Sequence, residues 1–289
     1  MYGSIPDSAY DEGSTGTGFR FFPSGLVKQT GLYVQDQVTL FDKLHLLLGG
    51  RYDYAEFGLG TSALSREEAI ADRHGRSVRK DSQFSPRAGI LYEWTPRLST
   101  YASYSKSFGA NNGRSVTGET HPPERGEQFE VGTKAELLQG VSATVALFHL
   151  TKKNLLTPDL TTPDPTDARP VGEARSQGVE IDVLGMVTAR LSVIANYAYL
   201  DTKVTRDNSS LQGNRLDNVP LHSGRVFLVY HFGGEDGLGW RVGGGVSAAS
   251  AVSGDRENTF NLPAYYRLDA MTSYTAMVAG RRLNSTCAI

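Results

Sequence analysis

Apolar and polar residues alternate along most of this chain, in stretches of about ten to fifteen residues. In residues 44–54, leucine and tyrosine alternate with histidine, arginine and aspartate. In 128–136 and 178–183, apolar residues alternate with polar ones that include glutamate, lysine and aspartate. A side-chain period of two predicts β-strands with one apolar and one strongly polar face. Because the strands are long and their polar sides carry charges, the pattern favours a transmembrane β-barrel, with lipid on one side and a lumen on the other.

The alternation predicts about eleven strands, connected alternately by short turns and by loops of about ten to twenty residues. The predicted strands are 27–42, 44–57, 80–94, 98–109, 125–136, 141–152, 174–185, 190–203, 219–232, 239–252 and 262–275. Short turns at one end and long loops at the other are typical of outer-membrane barrels. The predicted fold class is therefore all-β, a transmembrane antiparallel outer-membrane β-barrel. In 141–152 neither residue parity is convincingly polar, so the sequence leaves the faces of that strand undecided.

Aromatic residues cluster near both ends of the predicted strands. Those beside the short turns are Trp94, Phe232 and Trp240, and those near the long loops are Tyr54, Tyr104 and Tyr199. Membrane barrels carry such aromatic girdles at both lipid–water interfaces.

Composition alone resembles that of a soluble protein, with 39% hydrophobic residues and a net charge of -2 in 289 residues. It does not exclude a barrel, because only alternate residues of each strand need be apolar. No run approaches the roughly 18 apolar residues that a transmembrane helix needs. The near-neutral charge gives no reason to expect nucleic acid as a partner.

Both ends of the chain suggest an incomplete barrel. The first eight residues lack the features of a secretory signal, which an outer-membrane protein requires, and the predicted strand count is odd although single-chain bacterial barrels normally close with an even number. The expected organisation is a loop remnant at 1–26, a partial barrel at 27–275 and an aberrant or truncated tail at 276–289. The single cysteine, Cys287, permits no internal disulfide.

Charged residues on the polar sides of the strands are the main candidate site. They are Arg51, Asp53, Arg87, Glu130, Lys134, Glu180, Asp182, Arg267 and Asp269. One interpretation is a lumen wall that holds an internal domain through ion pairs that break during transport. The other is a structural network between adjacent strands, in which each cross-strand pair contributes roughly 0.2–1 kcal/mol. Both remain open, since one residue can serve both purposes.

Other chemistry finds little support in the sequence. The six histidines have no metal-ligand spacing, and no nucleophile elbow, zinc-protease motif or phosphate-binding loop is present, so neither a metal site nor an enzyme is expected. In a long loop, Phe108, Asn111 and Asn112 could contact a ligand from outside, although exposed loop residues are usually only solvated.

Eight sequence blocks resemble the TonB-dependent siderophore receptors, and among these the ferric-hydroxamate (ferrichrome-type) branch. The blocks are TGLYVQDQ at 30–37, GGRYD at 49–53, SPRAG at 85–89, YASYSKSF at 101–108, PERGEQFEVGTK at 123–134, ARSQGVE at 174–180, GNRLDNVP at 213–220 and LPAYYRLDA at 262–270. The resemblance implies a plugged barrel of about 22 strands in the bacterial outer membrane. It also implies uptake of iron as a ferric siderophore, a substrate and not a cofactor, driven by TonB through an N-terminal plug.

If the family pattern holds, this chain supplies the later half of the barrel without the plug, and we expect these residues alone not to transport. The tail at 278–289 departs from the family's closing hairpin and final aromatic residue. Two alternatives to the transporter stay open: a structural or surface-recognition barrel remnant that binds macromolecules through its extracellular loops, and a soluble all-β binding module.

Overall fold

The computed structural model describes residues 22–76, 78–109, 121–158, 168–208, 210–233 and 237–288. Within these residues the chain forms fourteen strands and one helix. The elements are β1 (Phe22–Leu40), β2 (Leu44–Ser62), α1 (Arg66–Gly75), β3 (Arg79–Thr95), β4 (Leu98–Gly109), β5 (Glu124–Leu138), β6 (Val141–Pro158), β7 (Ala168–Thr188), β8 (Leu191–Arg206), β9 (His222–His231), β10 (Gly239–Ala249), β11 (Val252–Ser253), β12 (Asn261–Leu262), β13 (Tyr265–Val278) and β14 (Arg281–Ala288).

Twelve of these strands form one antiparallel sheet in strict chain order, from β1 to β10 and then β13 and β14. The two remaining strands, β11 and β12, pair with each other in the connection between β10 and β13. Each sheet strand hydrogen-bonds to the strand before and after it in sequence, as expected of a barrel wall built from hairpins. Within the described residues, β1 and β14 are the two edges of the sheet and do not pair.

The register of the sheet assigns every strand position to one of two faces, because directly opposed residues of an antiparallel pair lie on the same side. One row across the sheet consists of Val38, Leu46, Ile90, Ala102, Val131, Leu147, Val179 and Tyr199. We call the side that carries this row the apolar face. Many of its side chains are exposed in the isolated chain, for example Leu32 at 75% and Leu48 at 64%. An apolar surface of this extent is suited to lipid and not to water.

The register also settles the faces of β6, which the sequence left undecided. Val145 and Leu147 lie on the apolar face, whereas Phe148 lies opposite Glu130 of β5 and Gly178 of β7, on the other side of the sheet. Phe148 is thus an apolar residue on a mainly polar side. Its face depends on its cross-strand partners, which the pattern within one strand does not reveal.

Aromatic side chains pair at the short-turn end of the sheet, where the sequence predicted one girdle. Their ring centroids are 4.7 to 4.9 Å apart in three pairs. These pairs are Tyr92 with Trp94, Tyr230 with Phe232, and Trp240 with Tyr274. Near the long-loop end, the Tyr104 and Phe129 rings are 4.7 Å apart. The tyrosines and tryptophans can therefore place polar groups at both borders of an apolar band.

Helix α1 lies in the connection between β2 and β3, where the sequence predicted a loop. Ser65 caps the helix, because its hydroxyl accepts a hydrogen bond from the backbone N–H of Glu68 at 3.2 Å. The spacing of Ser65 and Glu68 is that of a capping box, a signal that could have predicted the helix from sequence. Gly60 lets the helix approach β2 closely, since a Cβ there would lie 2.2 Å from the Ala69 carbonyl oxygen.

None of the described helices is long and apolar enough to cross a membrane.

The end of the chain differs from the expectation that strand structure stops at 275. Strand β13 continues to Val278, and after a turn at 279–280 the chain returns as β14, which pairs with β13 from Val278 opposite Arg281 to Met271 opposite Ala288. The turn is possible because Ala279 and Gly280 adopt positive φ angles of 49° and 75°. The main sheet therefore contains twelve strands and not eleven. The first strand also starts earlier than predicted, at Phe22, while 1–21 of the predicted loop lie outside the described residues.

Candidate functional site: the polar face of the sheet

All nine charged candidate residues lie on one side of the sheet, opposite the apolar face. The row through Lys134 consists of Ser99, Lys134, Thr144, Asp182, Asn196, Arg225, Ser247 and Arg267. A second row consists of Gly49, Arg87, Ser105, Gln128, Leu150 and Ser176. The remaining candidates are an even number of residues away along the same strands, which places them on the same side. We call this side the polar face.

The buried carboxylate of Asp53 is the centre of a cluster on the polar face of β1 and β2. The Arg51 Nε donates to Oδ1 of Asp53 at 2.7 Å, and the Gln29 amide donates to the same oxygen at 3.0 Å. Asp53 is 3% exposed, so its carboxylate depends on these donors. Gly31 lies directly opposite Asp53, and a Cβ at that position would lie 2.5 Å from the Arg51 Nε. The glycine therefore leaves the space that the ion pair occupies.

A second cluster joins β4 and β5. The Tyr101 hydroxyl donates to Glu130 at 2.7 Å, and the Gln128 amide donates to the other carboxylate oxygen at 3.0 Å. The Lys134 ammonium lies 5.4 Å from the centroid of the Tyr101 ring, a cation–π contact. Gly132 lies opposite Tyr101, where a Cβ would be 2.6 Å from ring atoms. The tyrosine thus lies across the polar face and fixes the Glu130 carboxylate.

A third cluster lies near the other edge of the sheet. Asp269 contacts two guanidinium groups, that of Arg267 at 3.0 Å and that of Arg225 at 3.6 Å. Arg225 also lies over the Phe227 ring, 5.3 Å from its centroid. Arg225 was not among the candidates predicted from the sequence. No other charged residue lies on the polar face of β9, and only the contact with Asp269, two strands away, reveals the role of Arg225.

The other charged candidates have a different environment. Among the described residues, the side chains of Arg87, Glu180 and Asp182 make no ion pair, and all three residues are exposed on the polar face. Charges that are neither buried nor paired contribute little to holding adjacent strands together. They are therefore the candidates best placed to contact something beyond the sheet.

A cavity of about 650 Å³ brings part of the candidate set together. It is lined by Arg51, Asp53 and Arg87, and also by Phe108 at the end of β4. The ligand candidates Asn111 and Asn112 lie outside the described residues. The cavity offers hydrogen-bond donors, two guanidinium groups and the aromatic rings of Tyr33 and Phe108, which suits the binding of a ligand.

A metal centre is not apparent in the part of the chain that the structure describes, where no three histidine, cysteine, aspartate or glutamate side chains are grouped to hold an ion. His45, for example, bridges Thr39 at 3.0 Å and Glu93 at 2.9 Å within the sheet. Its two ring nitrogens are thus engaged by neighbouring strands.

Sequence and structure comparisons place the chain among known proteins. The family model described as TonB dependent receptor-like, beta-barrel matches residues 2–284. The metal-pseudopaline receptor CntO of Pseudomonas aeruginosa is 37% identical over 254 residues, covering 86% of this chain and 35% of that protein. The ferrichrome outer membrane transporter/phage receptor of Escherichia coli is 34% identical over 249 residues, covering 86% of this chain and 32% of that protein.

The crystal structure of the siderophore receptor PiuA from Acinetobacter baumannii superposes with a TM-score of 0.72 at 26% identity, covering 88% of this chain and 37% of that one. The chain spans about a third of the length of these relatives. Relatives of this family are outer-membrane receptors, which confirms the predicted fold class and location. The sheet, its polar face and these matches together identify the chain as a member of the TonB-dependent receptor family, matched through its β-barrel domain.

Proposed function

We propose that this chain forms part of the barrel wall of a receptor that takes up ferric siderophores across the outer membrane with energy from TonB. The support is twofold. Its relatives include proteins named as receptors or transporters for ferrichrome, ferrioxamine B and metal-pseudopaline. In addition, the charged candidates share one face of the sheet, as a lumen wall requires.

The polar face divides into two parts with different roles. Asp53, Glu130 and Asp269 accept hydrogen bonds or ion pairs from residues of other strands and stabilise the wall. Arg87, Glu180 and Asp182 are exposed and free of such bonds among the described residues, and we assign them to contact with a plug domain inside the lumen. Exposed ion pairs contribute about 0–1 kcal/mol each, so contacts of this kind can break and re-form during a transport cycle.

The proposal rests mainly on the observation that the charged side chains share one face of the sheet. Uptake of iron by cells tests the proposal. A strain without its own receptor for a given ferric siderophore is complemented with the receptor that carries this wall. We expect radioiron uptake that is lost when TonB is inactivated. Uptake that persists without TonB, or a purified receptor that binds no ferric siderophore, would contradict the proposal.

Matched substitutions separate the two parts of the polar face. Glu180→Gln with Asp182→Asn removes two unpaired charges, and we expect altered uptake with unchanged resistance to unfolding. Glu130→Gln weakens the bond from Tyr101 within the wall, and we expect lower stability. If both variants lost only stability, the assignment of Glu180 and Asp182 to plug contact would be wrong.

A second candidate function is recognition of macromolecules by the long-loop end. The name of the Escherichia coli relative includes a phage receptor. In this chain, the connections at that end carry ordered structure, including α1 and the pair β11 and β12. Phage adsorption by cells that lack ferric siderophore uptake would favour this function over transport.

A further inference from the structure

A cavity of about 440 Å³ lies at the long-loop end of the sheet, where three basic side chains line it. They are Lys106 of β4, Arg125 of β5 and Lys153 of β6. Each lies an even number of residues along its strand from the apolar row, so all three project from the apolar face. Positive charges are thus grouped on the side of the sheet that is suited to lipid.

Two of these charges are directly opposed. Arg125 lies opposite Lys153 in the antiparallel pair of β5 and β6. On the other side of Arg125, the opposed residue is Phe108 of β4, which brings no carboxylate. Like charges at directly opposed positions of a sheet repel and are destabilising. An anion that contacts both side chains would relieve this repulsion.

Nearby carboxylates balance only part of the charge. Glu127, the one acidic residue among those that line the cavity, accepts a hydrogen bond from the Tyr104 hydroxyl at 2.6 Å and lies 3.9 Å from the Lys106 ammonium. Glu173 lies 3.9 Å from the Lys153 ammonium. Three positive groups therefore face two carboxylates, both of which are at the long limit of an ion pair.

The Arg125 guanidinium is available to a ligand. In the part of the chain that the structure describes, it makes no hydrogen bond or ion pair, and the residue is exposed. A guanidinium binds two oxygens of a phosphate through parallel hydrogen bonds, and an adjacent ammonium adds a second positive charge to the same anion. Arg125 and Lys153 together are therefore suited to a phosphate group.

The height of the cluster in the membrane indicates where the phosphate comes from. Lys106 lies two residues beyond Tyr104 along β4, and Arg125 lies four residues beyond Phe129 along β5, counted from the aromatic pair towards the long loops. With about 3.4 Å per residue and a strand tilt of about 40°, these positions are about 5 and 10 Å beyond the rings along the membrane normal. The headgroup layer extends about 5–8 Å beyond the hydrocarbon core on each side, and long basic side chains reach within it.

We propose that Arg125, Lys153 and Lys106 bind the headgroup phosphate of a lipid in the leaflet at the long-loop end, with the acyl chains of that lipid against the apolar face. The ligand class is a lipid with a phosphate monoester, whose second negative charge matches the two opposed cations. This site is independent of siderophore transport and requires only that the apolar face contacts lipid.

The first experiment measures binding of dioctanoyl phosphatidic acid to the protein purified from outer membranes and delipidated in neutral detergent, by native mass spectrometry. We expect the double variant Arg125→Gln, Lys153→Gln to bind about tenfold or more weakly, because charge-assisted hydrogen bonds are lost. Lys152→Gln is the matched control. Lys152 is adjacent to Lys153 but projects from the polar face, where it pairs with Glu124, so this variant should bind within twofold of the parent.

Two further ligands separate a lipid site from a site for free anions. Dioctanoylglycerol has the same acyl chains without phosphate, and inorganic phosphate has no acyl chains. We expect both to bind at least tenfold more weakly than phosphatidic acid. The proposal would be overturned if either ligand bound as tightly as phosphatidic acid, or if the double variant bound phosphatidic acid within twofold of the parent.

Stability in vesicles provides a readout that loss of folding cannot imitate. Arg125→Gln removes one of the opposed charges, so in phosphatidylcholine vesicles we expect its urea midpoint to equal or exceed that of the parent. Addition of phosphatidic acid should raise the midpoint of the parent and leave that of the double variant unchanged. A lower midpoint of Arg125→Gln in phosphatidylcholine, or an equal increase in both proteins, would contradict the site.

Discussion

Gly31 lies directly opposite Asp53 in the antiparallel pair of β1 and β2, and a Cβ on Gly31 would be 2.7 Å from the carboxylate oxygen that Arg51 binds. Two separate sequence blocks, one with Gly31 and one with Arg51 and Asp53, are thus parts of one structural unit. The glycine of the first block makes room for the ion pair of the second.

Gly31→Ala should displace the Arg51 side chain and break its 2.7 Å bond to Asp53. Because Asp53 is buried, we expect a loss of about 1–3 kcal/mol in the free energy of unfolding, measured by urea titration in lipid vesicles. Gly25→Ala in the same strand is the control, since a Cβ there meets no atom within 4 Å. Equal stability of the two variants would show that the space at Gly31 is not needed.

Gly60→Ala should push α1 away from β2, because the new Cβ would lie 2.2 Å from the Ala69 carbonyl oxygen and 2.3 Å from the Arg73 nitrogen. Backbone atoms cannot move aside as a flexible side chain can. We expect faster proteolysis in the connection between β2 and β3, with little change elsewhere. Gly75→Ala, with no atom within 4 Å of its Cβ, should be cleaved as the parent is.

Adjacent residues of β6 test the two faces of the sheet. Leu147→Arg places a charge on the apolar face, between the two aromatic bands, and should cost about 2 kcal/mol or more in the free energy of unfolding from lipid. Phe148→Arg places the same charge on the polar face near Glu130 and should cost less. The urea midpoints of the two variants in vesicles give the comparison, and a larger loss for Phe148→Arg would reverse the assigned faces.

Most of the sheet could be predicted from sequence, because a period of two and turn residues at regular intervals are local signals. For example, the predicted ends of the four strands beside the turns at 43 and 96–97 lie close to the ends that the structure shows. The faces of β6 required the cross-strand partners of Phe148. The partner of Arg225 is similarly non-local, since Asp269 lies two strands away.

Helix α1 and strand β14 also have local signals in the sequence, but the alternation of apolar and polar residues does not reveal them. The capping pattern of Ser65 and Glu68 indicates α1, and the turn at Ala279 and Gly280 permits β14. The role of the exposed charges Glu180 and Asp182 depends on what lies beyond the sheet. It therefore stays a prediction, as does the expectation that these residues alone do not transport.

The Asp255 carboxylate should make the stability of its turn, at the loop end of the sheet, depend on pH in the acid range. The Thr259 hydroxyl and backbone N–H donate to its carboxylate and hold its pKa below its usual value. A lowered pKa means that the carboxylate stabilises the turn at neutral pH and loses this effect only as the pH falls through the folded-state value. We expect amide exchange at Thr259 to be slow at pH 5 and to accelerate relative to Asp255→Asn only below about pH 4. Acceleration already between pH 7 and pH 5 would contradict this.

The central claim is that one face of this sheet contacts lipid and the other lines an aqueous lumen. Single cysteines at Glu130 and Val131, in a Cys287→Ser background that removes the exposed native thiol, test it in isolated outer membranes. The charged, water-soluble reagent is a sulfonate-bearing methanethiosulfonate. We predict that the cysteine at 130 reacts and the cysteine at 131 is protected, whereas a fluorophore at 131 and not at 130 is quenched by brominated lipid. Equal labelling at both positions, or the reverse order, would contradict the account.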